Sequence, residues 1–243
     1  MLTLTRKATS AEHSFIGINA SAEKTTEVKA VALRSGSVIN VVQKTQLDNP
    51  DGRVTFEDPS DIDLLEKKAK CLAGILNVDS PKFQKLFWEF GSVPSTWVFQ
   101  QSTVERTMLY GGRSLIIYYD NAEGHLREDA TIRRVRLHDS DQRGNSAWRK
   151  WGVAVSQMSN LPVTLYTGEK CDSNAAVICP HDQTHVLAIW AFAESNEFNV
   201  AVRKIDQKVN ITNATLAKVP FNLDYWQKVA KEKYPQGLPR PHS

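Results

Sequence analysis

The hydrophobic period of this chain switches between strand-like and helix-like, and the switches limit the folds open to it. From Gly91 onward, WVFQQ, RSLIIYYD, TIRRVRL, WGVAVSQ, PVTLYT and NAAVICP are short β-type runs parted by Gly, Asn, Asp and Pro. Runs of this kind bury sheet faces, while the intervening residues turn the chain. HVLAIWAFA then reads as an apolar helix; Ser195, Asn196 and Glu197 break and recap it, and Phe198, Ala201, Val202 and Ile205 continue at helical spacing. VNITNATLAKVPF is predicted to form a final strand, because Val209, Ile211 and the Thr-rich run favour β geometry. Asn222 caps a last helix carrying Tyr225, Trp226 and Val229. The expected class is α+β.

Ahead of this region the pattern is mainly helical. TEVKAVAL, residues 26–33, predicts a short helix ending before Gly36, and residues 37–43 read equally as a strand or a short helix. Asn49, Pro50, Asp51 and Gly52 form a turn. Ser60, with Asp63 in a capping-box-like relation, opens the clearest helix, with Ile62, Leu65, Ala69, Leu72 and Leu76 at spacings of 3, 4, 3 and 4. Pro81 sits at the first position of another helix, whose face of Phe83, Leu86, Phe87 and Phe90 is expected in the core. The alternating residues 2–5 read as a strand that begins without any lead-in.

The 243 residues are enough for one large or two small domains. No apolar run reaches the roughly 18 residues that a membrane span requires, and MLTLTRKATS has no secretory apolar core. Three cysteines without framework spacing fit a reducing, cytoplasmic setting. A net charge of +3 is too mild to establish nucleic-acid binding. Its distribution says more: Arg127, Arg133, Arg134, Arg136, Arg143, Arg149 and Lys150 outnumber Glu128, Asp129, Asp139 and Asp141. Such local excess suits phosphate neutralisation, and it equally suits a solvated surface.

From Trp151 to Tyr234 the sequence reads WGVAVSQMSNLPVTLYTGEKCDSNAAVICP and later VRKIDQKVNITNATLAKVPFNLDYWQKVAKEKY. This block resembles the region after the catalytic core of large adenine-N6 DNA methyltransferases, in particular the methylase of DISARM-type phage-defence systems, a relative of fused type IIG restriction–modification methylases. HSFIGINASAEKT, QLDNPDGRV and SPKFQKLFWEF are similar to that family's connector, and LPVTLYTGE with AIWAFAESNEFNVAVRKIDQ to its target-recognition region and closing helix. The resemblance implies a helical connector over 1–90, a strand-rich target-recognition domain over 91–220, and a C-terminal helix with a Pro-rich end over 221–243. It also implies that the chain is an internal fragment. DNA is the implied partner, with a missing or separately encoded methylase catalytic domain and other defence-system proteins. S-adenosylmethionine is then the methyl donor of the full-length relative.

Adenine-N6 transfer needs a Gly-rich strand-to-helix turn for the donor and an Asn–Pro–Pro–aromatic loop for the extruded base. The sequence has neither: its one Asn–Pro pair, Asn49–Pro50, runs into Asp51–Gly52, and Gly111–Gly112 precedes a strand. No catalytic or donor-binding residue is expected in this chain. Cys171, Cys179, His181 and His185 lie close together, but seven residues separate the cysteines and Cys179 ends an apolar run. These read as core and surface residues, so no metal ligand is assigned.

DNA contact is the remaining chemistry, and three groups offer suitable side chains. Trp148 and Trp151 flank Arg149 and Lys150. Ser156, Gln157, Ser159 and Asn160 follow an apolar strand as a polar loop. Arg203, Lys204, Lys208, Thr212, Asn213 and Lys218 make a basic, hydroxyl-rich edge. A rival assignment is a stand-alone specificity or scaffold subunit that works with a separate methylase.

Overall fold

A computed structural model describes residues 10–20, 22–47, 54–56, 63–76, 80–119 and 142–241. The fold is α+β. It divides into two compact units, Met1–Ile62 and Asp63–Ser243, so residues 63–90 group with the strand-rich part. The N-terminal strand expected at 2–5, the turn at 49–52, the helix start at Ser60 and the TIRRVRL strand lie outside the described residues.

In the first unit, β1 (Ser14–Gly17) pairs antiparallel with β2 (Ile39–Val42), which resolves the open choice at 37–43. Between them runs α1 (Thr26–Ser35), as its pattern predicts. The Thr25 hydroxyl accepts from the Val28 N–H, while Glu27 and Arg34 sit at the ends that the helix dipole favours. α1 has no buried residue, and Val31 is 60% exposed.

Two four-stranded sheets make up the second unit, in the orders β3-β10-β7-β8 and β4-β6-β5-β9. The first comprises β3 (Ala69–Ala73), β7 (Gly152–Ser156), β8 (Val163–Tyr166) and β10 (Ala175–Pro180), all antiparallel. β7, β8 and β10 are buried along their whole length, which is why their sequences run apolar instead of alternating. Val153, Val155, Ala176 and Ile178 face a helical layer; Ala154, Val177 and Cys179 face the other way. That layer holds α3 (Val186–Ala193), α4 (Asn196–Ile205), α5 (Asn213–Ala217) and α6 (Leu223–Lys233). Ser195 and Asn222 accept from Phe198 and Tyr225 N–H as the caps of α4 and α6, as expected.

The second sheet comprises β4 (Gln84–Leu86), β5 (Trp97–Gln101), β6 (Leu115–Tyr118) and β9 (Lys170–Cys171). Its two-residue β9 pairs parallel with β5, and Asp172 and Ile75 bridge just beyond it.

Three expectations need correction. Over the described residues 63–76, the helix predicted to open at Ser60 is instead a single 3-10 turn, Leu65–Lys67, followed by β3. Its apolar spacing also satisfies period two: Ala69 and Cys71 face the helical layer while Leu72 faces the opposite cluster, and β10 supplies a full hydrogen-bonding partner. The second helix stops after one turn, α2 (Ser80–Phe83), because β6 pairs with the next three residues. Of its aromatic face only Phe83 is buried; Phe87 is exposed beside Trp88 and Phe99. The strand predicted over 209–221 is α5 flanked by isolated bridges at Asn210 and Pro220. Thr212 caps α5 through its hydroxyl, and this capping overrides the β preference of the Thr-rich run.

Candidate nucleic-acid interface

The segment entering β7 holds a basic dipeptide on a fixed backbone. Gly144 begins it with φ 72, residues Asn145–Ala147 make one 3-10 turn, and Ala147 is buried against Ala154 and Cys179. The Trp148 N–H donates to the Asn145 carbonyl at 3.1 Å and the Lys150 N–H to Ala147 at 3.0 Å. Between them Arg149 adopts φ 62, a left-handed conformation that costs a residue with a side chain about 1–2 kcal/mol. Contact with the turn after β8 enforces it. The Arg149 N–H donates to the Gly168 carbonyl at 2.9 Å. Gly168, at φ 106, approaches so closely that an added Cβ would lie 2.6 Å from the Arg149 Cα. Arg149 and Lys150 are consequently presented to solvent from a rigid turn.

Trp148 points inward. Its ring meets Tyr119 edge-on at 5.6 Å, and the Lys170 Nζ lies 3.0 Å from the Trp148 ring centroid and 4.2 Å from that of Tyr119. The Tyr119 hydroxyl accepts from Gln142 Nε2 at 2.8 Å, which helps to fix the Tyr119 ring. Burial, followed by the nearby charge of Arg149, pushes the Lys170 amine down to about 8. Lys70, opposite Cys179 in the sheet, is exposed on the same side as Ala147. Burial raises the Cys179 thiol, and the charges of Lys150 and Lys70 oppose that rise, which puts both cations near it. Lys70, Arg149, Lys150 and Lys170 thus form one basic group. Sequence reasoning missed Lys70 and Lys170; the TGEK turn after an apolar strand was the only local sign of the latter.

No family model and no curated protein matches this sequence.

The other candidates occupy different places. Ser156 and Gln157 are buried, not displayed on a loop. The Ser156 Oγ accepts from the Val104 N–H at 2.9 Å and donates to the Val104 carbonyl at 3.0 Å, while Gln157 Nε2 donates to the Ile211 carbonyl at 2.9 Å. Ser159 and Asn160 are exposed, but their carbonyls accept from Arg203 and Asn199. Arg203 is half-buried, its guanidinium bonded to the carbonyls of Ser159 and Lys208. Thr212 serves as the cap of α5, and Asn213 Nδ2 donates to the Cys71 carbonyl at 2.9 Å. Lys204 is exposed; Lys218 is half-buried at the end of α5. Arg203, Lys204, Thr212, Asn213 and Lys218 belong to the helical layer, whereas Trp148 to Lys150 lie across the first sheet from it.

Cys171 and Cys179 are buried beside Tyr166 and Ala175, and burial pushes both thiols up, away from the thiolate a metal requires. His181 Nε2 lies 3.2 Å from the Glu66 carbonyl, and His185 pairs with Asp182 at 4.0 Å. Among the described residues no group of His, Cys, Asp and Glu is placed to hold a metal ion, and no helix is long and apolar enough to cross a membrane.

Proposed function

We propose that this chain is the DNA target-recognition region of an S-adenosylmethionine-dependent adenine-N6 DNA methyltransferase of the phage-defence type, operating in the cytoplasm. The observation that carries the reading is the strained, exposed Arg149 beside Lys150, both without an ion-pair partner among the described residues. A non-glycine residue kept in left-handed backbone is a cost that other contacts must sustain, and such residues concentrate at functional sites. The likeness of the 151–234 block to the post-catalytic region of those methylases supplies the identity of the ligand. In this reading Arg149, Lys150 and Lys70 grip phosphates and set the register of the duplex, leaving base reading to nearby loops. Methyl transfer belongs to motifs that this sequence does not contain.

Fluorescence anisotropy against mixed-sequence duplex DNA at two salt concentrations tests the reading. Changing Arg149 and Lys150 together to Ala is expected to weaken binding about tenfold and to flatten the salt slope by nearly two, since each lost phosphate contact removes about 0.9. Thermal unfolding should stay nearly unchanged, because alanine keeps the Cβ and with it the strain at φ 62. Equal affinity of the double variant and the parent would remove the proposal.

A second reading is favoured by two exposed apolar surfaces: the uncovered Val28 and Val31 of α1, and the aromatic group of Phe87, Trp88 and Phe99. It makes the chain a specificity subunit that docks on a separately encoded methylase core. Co-expression with such a core should give a complex on gel filtration that Val31→Glu and Trp88→Glu disrupt. Independent elution of the unmodified chain would end this reading.

A further inference from the structure

Lys170 takes no part in the reading above, yet its position is hard to explain as packing alone. A lysine stem usually lets its ammonium reach water or a carboxylate. Here the ammonium lies over two ring faces, half-buried, next to a second cation. The carboxylates nearest in sequence are engaged elsewhere. Glu169 binds Arg113 at 3.1 Å and the Thr167 hydroxyl, and Asp172 accepts from the Asn174 N–H at 2.9 Å and from Ser102. The register neighbour of Lys170 on β5 is the neutral Gln100, and the segment packed against it brings Trp148 and Arg149. Tyr119, the remaining neighbour, has its hydroxyl occupied by Gln142. Two cations held together without a counter-charge among the described residues form a site that gains most from a bound anion.

We infer that Lys170 and Arg149 share one backbone phosphate of the bound duplex, and that seating it makes DNA binding proton-linked. This rests on the proposed DNA role and adds its regulation. Without DNA the lysine loses its proton near pH 8, because burial and Arg149 disfavour the charge. A phosphate between the two cations raises that pKa, so binding takes up a proton wherever the free site is already neutral. Affinity is full below about pH 7 and falls as pH rises through 8, by about tenfold at pH 9, where only about a tenth of the free sites keep the charge.

Anisotropy titrations of the full chain with duplex DNA at about pH 7 and pH 9 read this out. The parent is expected to bind about tenfold more weakly at the higher pH with its salt slope unchanged, because the same phosphate contact forms once the lysine takes up its proton. Lys170→Arg, which keeps its charge throughout, should bind as tightly at both. Lys170→Met should be weak at both. A parent that binds DNA equally at the two pH values overturns the inference and leaves the DNA reading intact. A parent that binds at neither, even at low salt, overturns both. Inorganic phosphate titrated without DNA is the second arm and should bind far more weakly than the duplex. If it binds comparably while the duplex shows no pH dependence, the pair holds a free phosphate and the assignment to DNA fails.

Discussion

Gly168→Ala is expected to destabilise the chain by on the order of 3 kcal/mol and to weaken DNA binding in whatever fraction remains folded. Two effects combine. The backbone at φ 106 is one that a residue with a Cβ rarely adopts, and the added carbon would meet the Arg149 N, Cα and C atoms at 2.7, 2.6 and 2.9 Å. None of these is the end of a flexible side chain, so the turn after β8 and the segment before β7 must part. Parting them breaks the Arg149 N–H to Gly168 bond and frees the arginine to leave its left-handed conformation. Thermal melts alongside anisotropy check this directly. A variant with parental stability would mean that the two turns do not hold each other.

Phe192→Ala should cost more, about 3–5 kcal/mol, the range for removing a large aromatic from a packed interior. Its ring, 2% exposed, lies 5.4 Å from Phe198, 5.3 Å from Phe221 and 5.1 Å from Trp226. One side chain therefore joins α3 to α4, to α6 and to the stretch before α6. In a chain of this size the loss corresponds to a melting temperature lower by roughly 10 °C. Basic-face binding measured well below that transition should persist, because the affected layer lies across the first sheet from Arg149. Joint loss of binding and stability would show that the sheet does not separate the two.

What the sequence disclosed was local. The fully buried runs of β7, β8 and β10 are apolar along their length, the helical spacing of Phe198 and Val202 needs no partner to be read, and Ser195 and Asn222 carry their capping chemistry in their own side chains. The errors came where a distant partner decided the outcome. Residues 69–73 suit a helix until β10 is beside them, and residues 84–86 until β6 is. The same distinction divides the site. Arg149 and Lys150 are adjacent and were legible as a pair. Lys70 and Lys170 join them only through the pairing of β3 with β10 and of β9 with β5. Ser156 and Gln157 resembled a displayed polar loop because nothing nearby in sequence announces the Val104 and Ile211 backbone groups they satisfy.

The short β9 carries a mechanical implication. It belongs to the second sheet and bears Lys170, while Lys70 rides on the first; among the described residues the bridge from Ile75 to Asp172 joins the ends of β3 and β9, and the Val104 to Ser156 and Leu165 to Leu109 bonds tie the stretch after β5 to the first sheet. Any slip of one sheet past the other would change the span between these two cations, so in the proposed DNA role these ties would act as a ruler for the spacing of phosphates.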